Sequence, residues 1–252
     1  MKKIVKPSMP LLVGLMLPSV VCAQGPPGGN LVPNGSFEQA AKGPNTFDQI
    51  GFAEGWGNAT LAQPELFDRQ ASAKTVGIPE NTYGTMAPQD GERYAGFMAW
   101  KDDQRRDYEG GARDPFKPGW NAYSEYPEVE LLQTLEEGAT YEISFHVALA
   151  QNSDRAVAGI GALVSPLKLA YPNRGFLKER PQVVTEEILA ERGKWMEIKG
   201  TFRADGDERF LVIGLYPTAV FETRRITEGA DNQYAYYYLD NIVLRKIDPV
   251  GP

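Results

Sequence analysis

The feature that most constrains the fold of this chain is its lack of a sustained helical period. From Leu31 onward Gly, Pro, Asn and Asp recur every several residues, and no window of a dozen residues has the i, i+3, i+4, i+7 apolar spacing of an amphipathic helix. The clearest patterns alternate instead, in residues 129–135 and 141–149 on either side of a turn at 136–139. These two segments predict a β-hairpin.

Further segments with strand character follow at 160–164, 195–203, 209–216 and 234–245. A turn at 204–207 predicts a second antiparallel pair between 195–203 and 209–216. Residues 184–192 fit either a short helix or extended structure, and residues 39–126 are expected to be ordered, mostly as irregular connections packed on the strands, because they carry many large aromatic side chains. Many short strands with Gly and Pro turns indicate an all-β protein, a β-sandwich.

The first 23 residues have the pattern of a secretory signal peptide. Three lysines precede an apolar run from residue 11 to residue 22, and the segment contains no acid. Cleavage before Gln24 would remove those lysines and the single cysteine, Cys22, and would change the formal charge from −7 to −10. Residues 19–22 lack the usual leucine of a lipoprotein signal, so ordinary cleavage is expected.

The rest of the chain excludes several classes of protein. Without cysteine it has no disulfide, thiol nucleophile or thiolate metal site, and its acidic balance argues against a nucleic-acid partner. No later apolar stretch approaches the roughly 18 residues of a membrane span. We expect a leader at 24–29, one domain at 30–247, a size ordinary for a single all-β domain, and a tail at 248–252.

Two motifs at the ends of the domain carry a family resemblance. The sequences NLVPNGSFE at 30–38 and YYYLDNIVL at 236–244 resemble the first and last strands of galactose-binding-like jelly rolls, the fold of many carbohydrate-binding modules. Segments 55–68, 76–84, 90–97 and 148–165 resemble more closely the N-terminal extracellular module that precedes an OmpA-type peptidoglycan-binding domain in some Gram-negative surface proteins. Only seven residues follow Arg245, so we do not expect anchoring through such a domain.

The resemblance implies a structural calcium ion where the first and last strands meet. The matching positions are Glu38, Asp240 and the turn Asp90-Gly91, and Ca²⁺ prefers carboxylate and carbonyl oxygens of this kind. The alternative is that Glu38 is an ordinary edge-strand acid and that Asp240 caps a turn.

The polar segment around residues 100–126 is the predicted binding surface. Sugars dock on exposed aromatic rings beside hydrogen-bonding side chains, and the same rings serve protein interfaces. The predicted ligand-binding residues are Trp100, Asp102, Arg105, Trp120, Asn121, Tyr123 and Tyr126. The alternative is that Trp100 and Trp120 fold inward beneath a long connection.

No pattern in the chain indicates catalysis. GxSxG, HExxH and phosphate-binding motifs are absent, and His146, mid-strand, has no second histidine. We therefore expect an exported, non-catalytic module, in the periplasm, on the outer cell surface or secreted, that binds a glycan or cell-envelope polymer. The alternative is a structural or adhesive surface subunit that recognises protein or self-associates.

Overall fold

A computed structural model describes residues 29–101, 123–227 and 234–247. One short 3₁₀ helix, Ile50–Phe52, precedes the first strand. In chain order the strands are β1 (Trp56–Asn58), β2 (Glu65–Asp68), β3 (Glu80–Asn81), β4 (Gly84–Thr85), β5 (Arg93–Lys101), β6 (Pro127–Glu130), β7 (Thr140–Leu149), β8 (Arg155–Ala158), β9 (Ile160–Ser165), β10 (Val183–Val184), β11 (Met196–Arg203), β12 (Phe210–Leu215), β13 (Glu222–Arg225) and β14 (Tyr234–Ile247).

Two five-stranded antiparallel sheets form the body of the molecule. Sheet A has the order β1-β6-β12-β9-β10, and sheet B has the order β11-β7-β14-β5-β2. Two-stranded pairs, β3 with β4 and β8 with β13, are appended to them. Because strands that follow one another in the chain mostly belong to opposite sheets, the architecture is a jelly-roll β-sandwich, which confirms the predicted fold class.

The main core lies between the two sheets. Strand β7 shows why: its alternating residues Tyr141, Ile143, Phe145, Val147 and Leu149 are all buried in this core, whereas Glu142, Ser144 and His146 point to the other face of sheet B. A period of two residues matches the pleat of a strand with one buried face.

Smaller apolar clusters also cover the outer face of each sheet. On sheet B, Tyr236 and Tyr238 of β14 face outward and pack with Phe67 and Tyr94, while Tyr237 between them points into the main core. On sheet A the outer cluster is formed by six side chains, Ala59, Tyr126, Leu163, Leu177, Val212 and Tyr216. Both faces of β14 are therefore buried, which explains its unbroken run of aromatic residues.

The two predicted hairpins are wrong. Strand β6 pairs with β1 and β12 in sheet A, whereas β7 pairs with β11 and β14 in sheet B. Likewise β11 lies in sheet B and β12 in sheet A. The short turns at 136–139 and 204–207 are present, but each joins the two layers of the sandwich. Local alternation gives the strands, and the packing of the two sheets decides which of them pair.

Other expectations are partly corrected. Residues 184–192 contain no helix; only the end of β10 is regular there. The stretch 39–126, expected to be mostly irregular, supplies five strands, among them β5, a nine-residue strand inside sheet B. Residues 30–38 lie along β14, where Leu31 N donates to Leu244 O at 2.7 Å and Ile242 N donates to Gly35 O at 2.9 Å. The predicted signal peptide lies outside the described residues. No helix in the described part of the chain is long and apolar enough to span a membrane.

Candidate functional site

Two of the predicted ligand-binding residues lie in the interior. Trp100 is fully buried in the main core with the Arg155 guanidinium 5.3 Å from its ring centroid. The pairing of β5 with β14 shifts register between Ala235 and Tyr236, so that Ala99 is an extra residue and both it and Trp100 join the core. This corrects the expectation that Trp100 offers its ring to a ligand.

Tyr126 is also fully buried, on the outer face of sheet A. Its ring covers Gly214, where an added Cβ would lie 2.2 Å from Tyr126 Cδ1. Its hydroxyl donates to Leu215 O and accepts from Leu177 N. The segment containing Leu177 covers the ring, so Tyr126 is a packing residue here and the expectation of a ligand contact is corrected.

Tyr123 is the one predicted binding residue that the structure describes as half-buried. Two cationic groups lie near its ring, with Lys101 Nζ at 5.8 Å and the Arg174 guanidinium at 6.0 Å from the ring centroid. Asp102, Arg105, Trp120 and Asn121 lie outside the described residues, and their roles stay predictions.

Tyr123 belongs to a larger group that we name the tyrosine–carboxylate cluster. It lies on the outer face of sheet B, where β2, β5 and β14 meet the segment leading into β6. Its acids bring carboxylate oxygens within 4.8 Å of one another. The members of the cluster are Asp48, Glu65, Tyr83, Tyr123, Glu125 and Tyr236.

Hydrogen bonds fix the two buried acids of the cluster. Tyr236 Oη donates to Glu65 Oε2 at 2.6 Å, and Tyr83 Oη lies 3.4 Å from Glu65 Oε1. Glu125 accepts from Tyr123 Oη at 2.6 Å, and its other oxygen accepts from the backbone N–H of Met98 at 2.6 Å. Glu65 is therefore held by tyrosines from distant segments, and Glu125 by a tyrosine two residues before it and by the backbone of β5.

A glycine in β5 makes room for this arrangement. A Cβ added to Gly96 would lie 2.3 Å from Tyr236 Oη and 2.7 Å from Phe67 Cε2. Because Gly96 has no side chain, the Tyr236 ring reaches across β5 to Glu65 at the start of β2, which pairs with Gly96. Tyr83 then stacks on Tyr236, with ring centroids 3.6 Å apart and an interplanar angle of 10°.

Burial shifts the pKa values of these acids upward. It raises the pKa of Glu125 to about 7, although the hydrogen bonds from Tyr123 and Met98 act in the opposite direction. Burial and the nearby charge of Glu125 raise the pKa of Glu65 well above its usual range. Burial and the nearby carboxylates also raise the pKa of the Tyr123 hydroxyl.

These shifts determine what the cluster can do chemically. The upward shifts favour the neutral forms of the Glu65 carboxyl group and the tyrosine hydroxyls, and a neutral carboxyl or hydroxyl group can both donate and accept a hydrogen bond. Asp48 at the exposed side offers carboxyl oxygens as acceptors. Such a surface is chemically matched to a ligand rich in hydroxyl groups; the three acids are also the group of described residues that could hold a metal ion.

The residues of the predicted calcium site lie close together, and the carboxyl groups of Glu38 and Asp240 accept backbone N–H groups. Asp240 accepts backbone N–H groups from Gln89 at 2.9 Å, Asp90 at 3.1 Å and Asn241 at 2.7 Å. Burial raises the pKa of Asp240 to about 7 despite these bonds. Among the described residues, Glu38, Asp90 and Asp240 do not form a converging group of three carboxylates.

Glu38 is used in the same way on the neighbouring turn. Its Oε1 accepts the N–H groups of Glu92 at 2.9 Å and Arg93 at 2.8 Å. Gly91 has φ +65°, and a Cβ there would lie 2.4 Å from the Glu38 carboxylate. Glu38 and Asp240 thus tie the 89–93 turn to the two ends of the domain through backbone amides, an arrangement that does not itself require a cation. Calcium binding at Glu38, Asp90, Gly91 and Asp240 stays a prediction.

Five members of the cluster were not expected from the sequence: Asp48, Glu65, Tyr83, Glu125 and Tyr236. Four of them fall in the stretch 39–126, where strands were not predicted, and the fifth lies in the aromatic run of β14. A usable signal was present in β5, since a glycine inside a strand marks a close approach by another group.

Comparisons with known proteins give a fold likeness only. No protein-family model matches the chain, and no curated protein matches it. The xylan-binding domain CBM22-1 of Xyn10C from Paenibacillus barcinonensis is similar over 90% of this chain and 100% of its own, with 14% identity and a TM-score of 0.41. TmCBM61, solved with β-1,4-galactotriose, is similar over 86% of this chain and 99% of its own, with 13% identity and a TM-score of 0.34. The C-terminal family 22 carbohydrate-binding module of Xyn10B from Clostridium thermocellum is similar over 84% of this chain and 95% of its own, with 12% identity and a TM-score of 0.36.

Proposed function

We propose that this protein is an exported, non-catalytic glycan-binding module that uses the tyrosine–carboxylate cluster to contact its ligand. The observation that carries the proposal is the half-buried ring of Tyr123, which is hydrogen-bonded to Glu125 and lies near the cationic groups of Lys101 and Arg174. A ring with its polar partners already fixed loses little conformational entropy when a ligand binds. The likeness in fold to carbohydrate-binding modules is compatible with this role but is too distant to argue for it.

The chemistry of the cluster favours a sugar over a charged polymer. Hydroxyl groups both donate and accept hydrogen bonds, as the tyrosine hydroxyls of the cluster do, and the exposed Asp48 adds carboxyl oxygens that accept them. A strongly anionic polymer would meet three acidic side chains, of which Asp48 is exposed. Calcium, if it binds at Glu38 and Asp240, would stabilise the ends of the domain and would not contact this ligand.

The test uses affinity electrophoresis of the mature chain, beginning at Gln24, through gels that contain plant, algal or bacterial polysaccharides. We expect retardation by at least one neutral polysaccharide, and loss of that retardation in Tyr123→Ala. Tyr171→Ala is the matched control, because Tyr171 is an exposed tyrosine outside the cluster. Lack of retardation by every polysaccharide, or equal retardation of Tyr123→Ala, would contradict the proposal. Concentration-dependent self-association without glycan binding would favour the alternative of an adhesive or structural subunit.

A further inference from the structure

A pocket lies on the side of the sandwich opposite the tyrosine–carboxylate cluster. It opens on the outer face of sheet A, at the edge formed by β1, β6 and β12, and its volume is about 170 Å³. Glu128 and Glu130 of β6, Gly57 of β1, Phe210 of β12 and Lys168 from the segment after β9 line it. The pocket shares no residue with the tyrosine–carboxylate cluster on sheet B.

Glu128 is a buried acid in which only one of the two carboxyl oxygens accepts a hydrogen bond. It is only 2% exposed, and its Oε1 accepts the backbone N–H of Leu169 at 2.7 Å. Its Oε2 is buried and has no hydrogen-bond partner among the described residues. Burial raises the pKa of Glu128 to about 7, and Lys168 acts in the opposite direction. A buried acceptor without a donor is costly, so a ligand that supplies one gains affinity.

Gly57 opens the space beside this carboxyl group. It is paired with Glu128 across the two strands, and a Cβ added to it would meet nothing within 4 Å. Its φ lies outside the left-handed region, so the backbone does not require glycine at this position. The lack of a side chain therefore leaves open space in the pocket and is not needed for the backbone conformation. Any larger residue would extend into the pocket.

The charges of the lining define the ligand class. Glu130 is already paired with Arg209, which leaves the Glu128 carboxyl group and the Lys168 ammonium group as the free polar partners. Lys168 opposes a cationic ligand, and the two acids oppose an anionic one. A hydroxyl group can donate to Glu128 and accept from Lys168, while Phe210 offers an apolar surface to the carbon face of a ring.

We propose that this pocket is a second binding site, independent of the cluster, that takes a single neutral sugar ring by a hydrogen bond from one of its hydroxyl groups to Glu128. The volume of the pocket is below the roughly 300 Å³ of sites for larger ligands, which limits the occupant to about one ring. Two sites on opposite faces would allow one module to contact two chains of a polymer or two branches of one glycan, which raises avidity.

The test follows the amide resonances of the mature, isotopically labelled chain while methyl glycosides of glucose, galactose, mannose and xylose are added. We expect at least one glycoside to shift the resonances of Gly57 and Glu128. Glu128→Gln, which keeps an acceptor for Leu169 N–H, should weaken binding about tenfold or more through loss of a charge-assisted hydrogen bond. Gly57→Leu should abolish binding by filling the space.

Controls separate this site from loss of folding and from the proposed function. Gly43→Leu is the matched control, because a side chain there also meets nothing within 4 Å, and it should bind normally. Tyr123→Ala should leave the shifts at Gly57 unchanged, even if it abolishes binding at the cluster. The proposal is overturned if no glycoside shifts these resonances, if Gly57→Leu binds as well as the wild type, or if methylammonium or acetate binds in place of the sugars.

Discussion

The substitution Gly96→Ala tests whether the cluster depends on the gap in β5. The new methyl group would lie 2.3 Å from Tyr236 Oη and 2.7 Å from the Phe67 ring, closer than real Cβ contacts allow. Both rings are buried on the outer face of sheet B, so they cannot swing into solvent. We therefore expect Tyr236 to move away from Glu65 and their 2.6 Å hydrogen bond to break.

The magnitude follows from two costs and one gain. Overpacking a buried site costs about 1–3 kcal/mol, and leaving the buried Glu65 without its hydroxyl partner costs about 1–3 kcal/mol. Replacing glycine by alanine restricts the unfolded chain and returns about 0.4–1 kcal/mol. We predict a net loss of about 1–5.5 kcal/mol in the free energy of unfolding, measured by urea denaturation.

Gly51→Ala is the matched control, since a Cβ at Gly51 would meet nothing within 4 Å. It should change stability by less than about 1 kcal/mol, because only the unfolded-state effect applies. The double variant Gly96→Ala/Tyr236→Phe removes the clashing hydroxyl, so its loss should be smaller than the sum of the two single losses. If Gly96→Ala is as stable as Gly51→Ala, the proposed route of Tyr236 across β5 is refuted.

Three further predictions concern charged groups. Arg93→Met should cost about 3–5 kcal/mol in urea denaturation, because the nearly buried Asp68 loses its 2.6 Å partner; a loss below 1 kcal/mol would contradict this. The raised pKa of Glu125 means that the folded state binds more protons than the unfolded state between about pH 4.5 and 7, so this acid makes stability fall as pH rises through that window. Glu125→Gln should reduce that slope by up to about 1.4 kcal/mol per pH unit, and an unchanged slope from pH 4.5 to 7 would exclude the shift. If calcium binds as the family resemblance implies, millimolar Ca²⁺ should raise the thermal midpoint relative to EDTA, and Glu38→Ala or Asp240→Ala should abolish the rise; equal midpoints in EDTA and Ca²⁺ would exclude the site.

The sequence predicts strands better than it predicts their partners. The alternation of apolar and polar residues in β7 and β11 identifies both strands, because one face of each strand is buried and the other is more exposed to solvent. Pairing depends on which layer a strand joins after a turn, and a four-residue turn can close a hairpin or cross the sandwich. The turn at 136–139 does the latter, and nothing within it distinguishes the two outcomes.

Tyr123 is the only member of the tyrosine–carboxylate cluster that the sequence predicted as a binding residue. Tyr123 was found from its place in a polar, aromatic segment, but Asp48 and Glu65 come from distant parts of the chain. Glu65 and Glu125 are 60 positions apart in the numbering, and they meet because residues 123–125 hydrogen-bond to β5 while β2 pairs with the same strand. Trp100 looked equally suitable in the sequence, and a one-residue bulge in β5 turned it into the core.

The central claim is that the tyrosine–carboxylate cluster binds a glycan, and isothermal titration calorimetry tests it most directly. A soluble oligosaccharide of the polysaccharide that retards the wild type should bind with a saturable heat. Tyr123→Ala should reduce the affinity by about tenfold or more, because the loss of the ring and hydrogen-bond contacts should cost roughly 1.4 kcal/mol or more of binding free energy. Unchanged affinity in Tyr123→Ala, with a normal thermal midpoint, would contradict the claim.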